Sequence, residues 1–317
     1  SVAATVQAPG ATTAPAHTLH DIIRKMPDGS AIELAVDGSG NTMTVKAGRS
    51  TFKLSCLPVG DFPELGGHEM PVNFAMPAAE LRALIDRTKF AMSTEETRYY
   101  LNGIYVHAAE NEGVAVLRAV STDGHRLARF EMPLPEGAAG MPGVIIPRKT
   151  ILELQRLLED NDDPVQVQLA ANQVKFTFAN VELISKLVEG KFPDFNRVIP
   201  KNHKNSVVLG RVPLLASLQR AAILTSEKFK GVRINIEPGS LRIASSNAEQ
   251  EEAKEELEID YSGDAIEIGF NVTYLMDALA NMDSEMVQIA LHDGSSAALI
   301  TVPEQDGFKY VVMPMRI

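Results

Sequence analysis

A nine-residue segment of this chain occurs twice, and the distance between its copies limits what the chain can fold into. Residues 57–65 contain the pattern Gly-x-Phe-Pro-acid, and residues 187–195 contain it again, so that Phe192 follows Phe62 by 130 positions. A repeat unit of that length has the size of a whole domain. The chain is therefore expected to contain duplicated domains rather than one large core.

Each copy of the segment follows a block with the same order of predicted elements. An amphipathic helix is predicted over residues 14–26, and alternating apolar and polar residues predict strands over 32–36 and 43–45. The same order returns twice, at 147–158, 165–169 and 174–178, and then at 271–282, 287–291 and 298–300. This block therefore occurs three times.

A second kind of block begins at Met76, with a helix predicted over residues 78–92, and its Arg87 returns as Arg220, 133 positions later. Ser93 and Ser226 are separated by the same distance. The second block therefore occurs twice, and it alternates with the first.

The alternation predicts three domains, over residues 1–72, 73–200 and 201–317. The first is expected to lack its front half, since no second-type block precedes its helix. Residue 1 is Ser rather than Met, which suits a fragment of a longer chain.

The net charge of −11 is unusual for a protein that binds nucleic acid. The acids are concentrated, however, because residues 248–260 hold seven Asp or Glu and one Lys. The predicted helices are richer in cations, and residues 211–224 contain Arg211 and Arg220 with no acid. Ordinary solvated helix faces explain such cations when one helix is taken alone. Their recurrence in each repeat favours a role in binding DNA.

The single cysteine, Cys56, excludes an intramolecular disulfide and a cysteine-rich metal site, which is typical of a reducing compartment. No apolar stretch is long enough to cross a bilayer, and the start lacks the profile of a signal peptide. We expect a cytoplasmic protein with no membrane partner and no cofactor.

The strongest hint of catalysis is the spacing of Asp123 and His125, two positions apart and close to Ser121 and Thr122. A serine hydrolase would also need a Gly-x-Ser-x-Gly elbow, which the chain lacks. It also lacks a glycine-rich phosphate loop, and its seven His residues form no His-Glu-x-x-His motif. The sequence therefore predicts neither a catalytic site nor a metal site.

Seven short motifs follow one another between residue 98 and residue 316. They are RYYLNG at 98–103, TDGHRLA at 122–128, IPRK at 146–149, KFPD at 191–194, RAAIL at 220–224 with EKF at 227–229, IGFNV at 268–272 and VVMPMR at 311–316. Together they resemble the bacterial DNA polymerase III beta subunit family, the sliding clamps, and the resemblance covers about residues 9–317. The resemblance implies an α+β clamp fold of similar domains, each with two helices packed on β-sheets and with the helices lining a central hole.

The resemblance also implies a non-catalytic function in DNA replication. A clamp of this family forms a homodimeric ring around duplex DNA, without sequence preference, and tethers the replicative polymerase so that synthesis becomes processive. Its partners would be DNA, the polymerase III alpha subunit, the clamp loader and other proteins with a clamp-binding motif. A label of DNA-directed DNA polymerase would apply to it only through the complex. The alternative from the residues is a scaffold that binds proteins through the same pocket and does not bind DNA.

Three surfaces are implied residue by residue. The DNA-facing residues would be Arg82, Arg87, Arg98, Tyr99, Tyr100, Arg148, Lys149 and Arg220, although core packing explains the two tyrosines equally well. A pocket for partner peptides would be lined by Thr122, Gly124, His125, Arg126, Leu127, Pro193, Arg197, Val198, Phe229, Asn271, Tyr274, Val311, Met313, Pro314, Met315 and Arg316. The ring joint would use Arg24, Lys46, Arg49, Phe52 and Leu54 on one side, and Ile223, Leu224, Glu249, Glu251 and Glu252 on the other.

Overall fold

The structure is a computed structural model, and it describes residues 2–63 and 69–317. The chain divides into two compact units, residues 1–68 and residues 69–317. Within the described residues, none of the helices combines the length and the apolarity needed to cross a bilayer.

The first unit packs one helix on a small antiparallel sheet. Helix α1 spans Ala16–Arg24, and the strands β1 (Ile32–Val36), β2 (Thr42–Ala47) and β3 (Ser50–Ser55) pair in the order β1-β2-β3. The core consists of Met43, Val45, Leu54 and Cys56, covered by Leu19 and Ile22 of the helix. The predicted helix and strands of this block are therefore present. The repeated segment that follows is described only to Pro63, so Glu64 and Leu65 lie outside the described residues.

The second unit contains four helices and sixteen strands within its described residues. The helices are α2 (Ala78–Asp86), α3 (Arg148–Leu157), α4 (Arg211–Ala222) and α5 (Val272–Ala280). The first eight strands are β4 (Val72–Pro77), β5 (Gly103–Asn111), β6 (Val114–Thr122), β7 (Arg126–Pro133), β8 (Val144–Pro147), β9 (Pro164–Leu169), β10 (Gln173–Phe178) and β11 (Val181–Lys186). The others are β12 (Asn205–Gly210), β13 (Gly231–Glu237), β14 (Ser240–Ser246), β15 (Glu252–Glu258), β16 (Ile266–Asn271), β17 (Met286–Leu291), β18 (Ala298–Val302) and β19 (Gln305–Val312).

Each of these helices begins directly after a strand. The residue at the junction is Pro77, Pro147, Gly210 or Asn271, and it adopts an extended conformation that turns the chain from strand to helix. Asn271 also caps its helix, because its side-chain oxygen accepts a 2.9 Å hydrogen bond from the Thr273 amide. Such side-chain caps satisfy an amide that has no partner inside the helix.

Helix α2 ends earlier than the sequence indicated. The apolar spacing predicted a helix to Met92, but the α-helix stops at Asp86 and a 3-10 turn follows over Lys89–Ala91. The hydroxyl of Thr88 donates to the carbonyl of Leu84 at 2.7 Å, within a buried turn. This bond takes up a carbonyl at the helix end, so the helix can stop without leaving a buried acceptor unpaired.

An eight-stranded sheet joins the two halves of the second unit. Its order is β12-β17-β18-β19-β7-β6-β5-β8, and the central pairing of β19 with β7 places Val311 opposite Leu127. Four-stranded sheets lie in each half, with the orders β11-β10-β9-β4 and β15-β14-β13-β16. Because one sheet runs through both halves, they form a single compact unit.

Both faces of the long sheet are buried near its centre. Val312 and Tyr310 contribute to the core that contains Leu218 of α4 and Leu275 of α5. Val311 lies between these two residues along β19, points to the opposite face and packs in a cluster with Phe195. The segment between β11 and β12 therefore covers the side of the sheet that the helices leave open.

Candidate functional site: the junction between the two halves of the second unit

A tight loop connects β6 to β7, and its own side chains hold its shape. The Asp123 carboxylate accepts hydrogen bonds from the amides of His125 (2.9 Å) and Arg126 (3.1 Å). The Thr122 hydroxyl donates to the carbonyl of Arg126 at 2.6 Å. At the tip Gly124 has φ +90°, a conformation that favours glycine, and an added Cβ would lie 2.5 Å from a guanidinium nitrogen of Arg98. Another residue at this tip would strain the backbone, and the end of the Arg98 side chain would have to move.

Arg126 connects this loop to helix α5. Its guanidinium donates to Asp123 (3.0 Å), to Asp277 on α5 (2.5 Å) and to the carbonyl of Phe90 (2.7 Å). The guanidinium carbon also lies 4.4 Å from the ring centroid of Tyr274, in cation–π geometry. The side chain is only 10% exposed. Arg126 is thus a buried link between the two halves, and it was expected only as a pocket residue.

The aromatic side chains around Arg126 are buried to different degrees. Tyr310 is fully buried, and its hydroxyl donates to the carbonyl of Tyr274 at 2.8 Å. Burial raises the pKa of both phenols, because the charged phenolate is poorly solvated there. The ring of His125 stacks at 6.3 Å from that of Tyr274. The loop and α5 therefore meet through rings as well as through charges.

The C-terminal tail, residues 313–317, contacts both halves of the unit. The amide of Met313 donates to the carbonyl of His125, and the amide of Met315 donates to the carbonyl of Gly269, both at 2.9 Å. The side chain of Met313 remains 43% exposed. The tail thus spans the junction and presents a flexible apolar side chain at its surface.

The segment between β11 and β12 forms another side of the junction. Phe195 is buried in the cluster that contains Leu127 and Val311, which anchors the neighbouring residues. Val198 is 47% exposed, and Arg197 makes an exposed ion pair with Asp194 (2.9 Å). An exposed apolar residue and an exposed ion pair therefore follow and flank Phe195, whose cluster includes Val311, two residues before Met313.

Contacts in the structure connect many of the predicted pocket residues with one another. The loop residues, Tyr274, Met313, Leu127 and Val311 are linked by the bonds and pairings described above. Asn271 pairs with Gly231 in the sheet, next to Lys230, whose carbonyl accepts from the amide of Val272. Phe229 stands apart, since it is 57% exposed and its described ring contact is with the Lys228 ammonium at 5.2 Å. The junction thus offers exposed apolar side chains on a rigid, buried frame.

The predicted DNA-facing cations fall into two groups. Arg82, Arg87, Arg98 and Arg220 all bind acidic residues of the chain itself. Arg148 and Lys149, at the start of α3, make no ion pair within the described residues, and Lys149 is exposed. Two of the six cations are therefore free to bind an external anion without first breaking an internal pair.

Arg87 has the most extensive internal contacts of the paired group. Its guanidinium donates to the carbonyl of Asn281 (2.6 Å) and to Asp283 (2.5 Å), across the two halves, and it is 19% exposed. A groove of about 390 Å³ lies beside it, bordered by Arg82, Lys89 and Asp160 among others. Arg87 therefore links the halves, as Arg126 does, rather than standing free in the groove.

Arg220 and Arg98 each bind one carboxylate through two hydrogen bonds. Arg220 donates to Glu255 on β15 at 2.9 and 2.6 Å, and Arg98 donates to Glu95 at 2.9 and 2.6 Å. These hydrogen bonds lower the pKa of both carboxyls below their usual values. The sequence alone does not identify either pair, because Glu255 is one of several acids in a run and lies 35 positions from Arg220.

The two tyrosines differ in burial: one is exposed, as a residue that contacts DNA must be, and the other packs against the core. Tyr99 is 55% exposed, whereas Tyr100 packs against the cluster of Phe192 and Leu101. Their rings meet edge to face, with centroids 5.7 Å apart. Tyr100 therefore fixes the position of a neighbour that reaches the solvent.

The residues expected at the ring joint differ in exposure. In the first unit Leu54 is buried in that unit's own core and Phe52 packs on it, so Leu54 is not available as a surface residue. The reason is the alternation of β3, which turns both side chains towards the helix. In the second unit Ile223 is 77% exposed, and the three glutamates of the expected joint, Glu249, Glu251 and Glu252, are exposed as well.

Sequence reasoning missed a row of polar side chains on the covered face of the long sheet. His107 on β5, Arg118 on β6 and Glu131 on β7 are direct partners across neighbouring strands. Arg118 forms a buried ion pair with Glu131, and Arg129 lies 3.3 Å from the same carboxylate. Burial lowers the pKa of His107. The alternation along each strand predicts that these polar residues share one face of the sheet. That this face is buried under the segment between β11 and β12 is not predictable from the sequence.

No group of three or more His, Cys, Asp or Glu side chains within residues 2–63 and 69–317 has the arrangement of a metal site.

Family models for the DNA polymerase III beta subunit match the chain in three parts. The model of the N-terminal domain matches residues 1–66, that of the central domain matches 75–194, and that of the C-terminal domain matches 196–316. The beta sliding clamp of Caulobacter vibrioides NA1000 is 44% identical over 314 residues, which is 99% of this chain and 84% of the relative. That of Escherichia coli K12 is 44% identical over 309 residues, covering 98% of this chain and 82% of the relative.

Solved clamp structures share the fold. The Caulobacter crescentus beta sliding clamp is 44% identical with a TM-score of 0.95, covering 98% of this chain and 83% of that one. A sliding clamp from Bartonella birtlesii bound to griselimycin is 41% identical with a TM-score of 0.94, covering 99% and 84%. These matches confirm the α+β clamp fold. The expectation that the first domain lacks its front half is not confirmed by them, since they cover nearly the whole chain and the N-terminal model matches its first 66 residues.

Proposed function

The chain belongs to the DNA polymerase III beta subunit family, the beta sliding clamps, and on that premise we propose which of its residues carry out the function of a clamp. Proteins of this family are not enzymes and act in DNA replication as sliding clamps. Such a clamp acts as a homodimeric ring on duplex DNA and tethers the polymerase and other proteins of replication and repair.

The domain limits of the proposal are 1–72, 73–200 and 201–317. Strand β4 starts at Val72 and pairs with β9, which supports a first limit close to this residue, and the gap between the segment anchored by Phe195 and the start of β12 supports the second. We place the protein in the cytoplasm, where replication proteins of bacteria act.

The peptide pocket lies at the junction between the central and C-terminal domains. The observation that carries this proposal is the tail, whose amides bind His125 of one domain and Gly269 of the other while Met313 stays exposed. Met is unbranched and polarizable, so it adapts to several related partners. A short peptide with Gln and apolar anchors would place its apolar side chains against Met313 and Val198, on a frame fixed by Arg126.

Binding of a fluorescent Gln-Leu-x-Leu-Phe peptide tests the pocket. Replacing Met313 with alanine should weaken binding by about tenfold, the loss expected for one apolar anchor. Met286→Ala is the matched control, because Met286 is also 43% exposed but lies on β17, outside the pocket. Equal affinities of both variants and the wild type would refute the assignment.

The DNA face is proposed to use helices α2, α3 and α4 together with Tyr99. Arg148 and Lys149 would make the direct phosphate contacts, since they have no internal partner among the described residues. Arg82, Arg87, Arg98 and Arg220 would add to the local field while remaining paired. Tyr100 would support Tyr99 from behind.

Loading onto nicked circular DNA tests this face and separates the clamp from a scaffold that does not bind DNA. Lys149→Glu should lower the amount of protein that is loaded, because it removes a phosphate contact, and should leave peptide affinity unchanged. Lys186→Glu, on β11, is a control with the same change of charge. Equal effects of the two reversals would show that only net charge matters and that α3 does not face DNA.

The ring joint is proposed to pair Ile223 and Leu224 of one copy with Phe52 of the next. The exposure of Ile223 supports this, because an apolar side chain that is 77% exposed gains most from being covered. Arg24, Lys46 and Arg49 would lie opposite Glu249, Glu251 and Glu252. Sedimentation tests the joint, since Ile223→Asp should shift a dimer towards the monomer, whereas an unchanged dimer would refute it.

A further inference from the structure

The C-terminal tail crosses strand β16 at a residue that has no side chain. The carbonyl of Gly269 accepts the amide of Met315 at 2.9 Å. A Cβ added at Gly269 would lie 2.5 Å from the carbonyl oxygen of Met315 and 2.7 Å from two side-chain carbons of Ile317. These separations are far inside van der Waals contact, so any larger residue must displace the tail.

The close approach, and not the backbone conformation, makes glycine necessary here. Gly269 is not among the glycines of the described chain that adopt a left-handed φ. Alanine could therefore adopt the same backbone without strain. The closest conflicting atom is a backbone oxygen, which cannot rotate away as the end of a side chain could.

A neighbouring glycine provides a direct comparison. Gly231 lies on β13, beside β16, and the tail passes over it too. There an added Cβ would lie 3.4 Å from Ile317 and 3.7 Å from the sulfur of Met315, which are ordinary contacts. The same substitution is thus expected to disturb the tail at position 269 and to leave it in place at position 231.

The position of the tail matters because Met313 lies two residues before Met315. The tail is held at His125 through Met313 and at Gly269 through Met315, so the backbone between these bonds has little freedom. Loss of the second attachment would leave the backbone around Met313 held only by its bond to His125.

We propose that Gly269 is a positioning residue of the peptide pocket, because its missing side chain lets the tail lie on β16 and so sets the place of Met313. This inference rests on the pocket proposed above. Gly269 itself does not touch the peptide and acts through the tail.

Four proteins test the proposal in the peptide-binding assay: the wild type, Gly269→Ala, Gly231→Ala, and a chain shortened to end at Pro314. We expect Gly269→Ala to weaken peptide binding by about tenfold or more and Gly231→Ala to change it by less than about twofold. The amide of Met315 should exchange with solvent faster in Gly269→Ala, while the amides of the long sheet stay protected. A loss of fold alone would not produce that local pattern.

A fifth protein, the shortened chain with Gly269→Ala, shows whether the effect passes through the tail. Without residues 315–317 the conflicting atoms are gone, so the substitution should have no further effect on binding or on the melting temperature. An equal loss in both backgrounds, or misfolding of the shortened variant, would overturn the proposal. Wild-type affinity in Gly269→Ala would also overturn it. Failure of the wild type itself to bind would instead refute the pocket, and the positioning role with it.

Discussion

Replacing Arg126 with methionine should destabilise the protein much more than the loss of a surface arginine would. The guanidinium makes three hydrogen bonds, to Asp123, Asp277 and the carbonyl of Phe90, and it is 10% exposed. Removing one partner of a buried ion pair costs about 3–5 kcal/mol, because the other charge is left poorly solvated. Asp277 is 35% exposed and water can reach it, so the lower end of that range, about 3 kcal/mol, is the expected loss.

The assay is urea denaturation followed by circular dichroism, with Arg156→Met as the matched control. Arg156 pairs with Glu153 on the surface of α3 and is 73% exposed, so its loss should change the free energy of unfolding by less than about 1 kcal/mol. Arg126→Lys keeps the charge but has one nitrogen in place of the three that reach separate acceptors, and its loss of stability should fall between the two. A loss below about 1 kcal/mol for Arg126→Met would refute the reasoning that this residue joins the two domains.

Three further perturbations follow from the same geometry. Gly124→Ala should destabilise the protein by about 1–3 kcal/mol and weaken peptide binding, because φ is +90° there and Arg98 fills the space; calorimetry that shows an unchanged melting temperature would contradict this. Burial lowers the pKa of His107 below its usual 6.5, so the unfolded chain takes up this proton first and stability falls as the pH drops below about 6.5. His107→Gln should flatten the stability profile in that window, whereas parallel profiles would show that His107 does not contribute. Arg220→Ala should raise the pKa of Glu255 back towards its usual value, and an unchanged NMR titration would show that the pair does not form in solution.

Much of the fold was predictable from the sequence, because the repeat exposes the domain pattern. The register of 130 residues between Phe62 and Phe192 places equivalent helices and strands without any knowledge of tertiary contacts. The end of α2 was missed, since the apolar spacing continues beyond Asp86 while Thr88 ends the helix through a bond to Leu84. The spacing of apolar residues locates helices and strands well. Where a helix ends depends on side-chain hydrogen bonds, which that spacing does not reveal.

Candidate residues of the site could be named from the sequence, but the contacts that these residues make could not. Arg126 was assigned to the pocket from its motif, while its bond to Asp277 spans 151 positions and has no local signal. The pairing of Arg87 with Asp283 spans 196 positions, so a cation that looked free on a helix is an interdomain link. Partners of this kind arise because the end of α2 and the start of β7 meet α5 and the residues after it, an arrangement that the order of the blocks alone did not fix.

These internal partners also bear on how an acidic protein holds DNA and still slides along it. A phosphate that approaches Arg87 or Arg220 must compete with a carboxylate already bound there, so each such cation contributes a weakened attraction. Every cation that fully neutralises a phosphate adds about 0.9 to the slope of log affinity against log salt. If only Arg148 and Lys149 bind phosphate directly, the slope per protomer stays near 2, far below that of a protein that binds one DNA site tightly. Weak attraction allows movement along the duplex, and retention then has to come from closure of the ring rather than from contact strength.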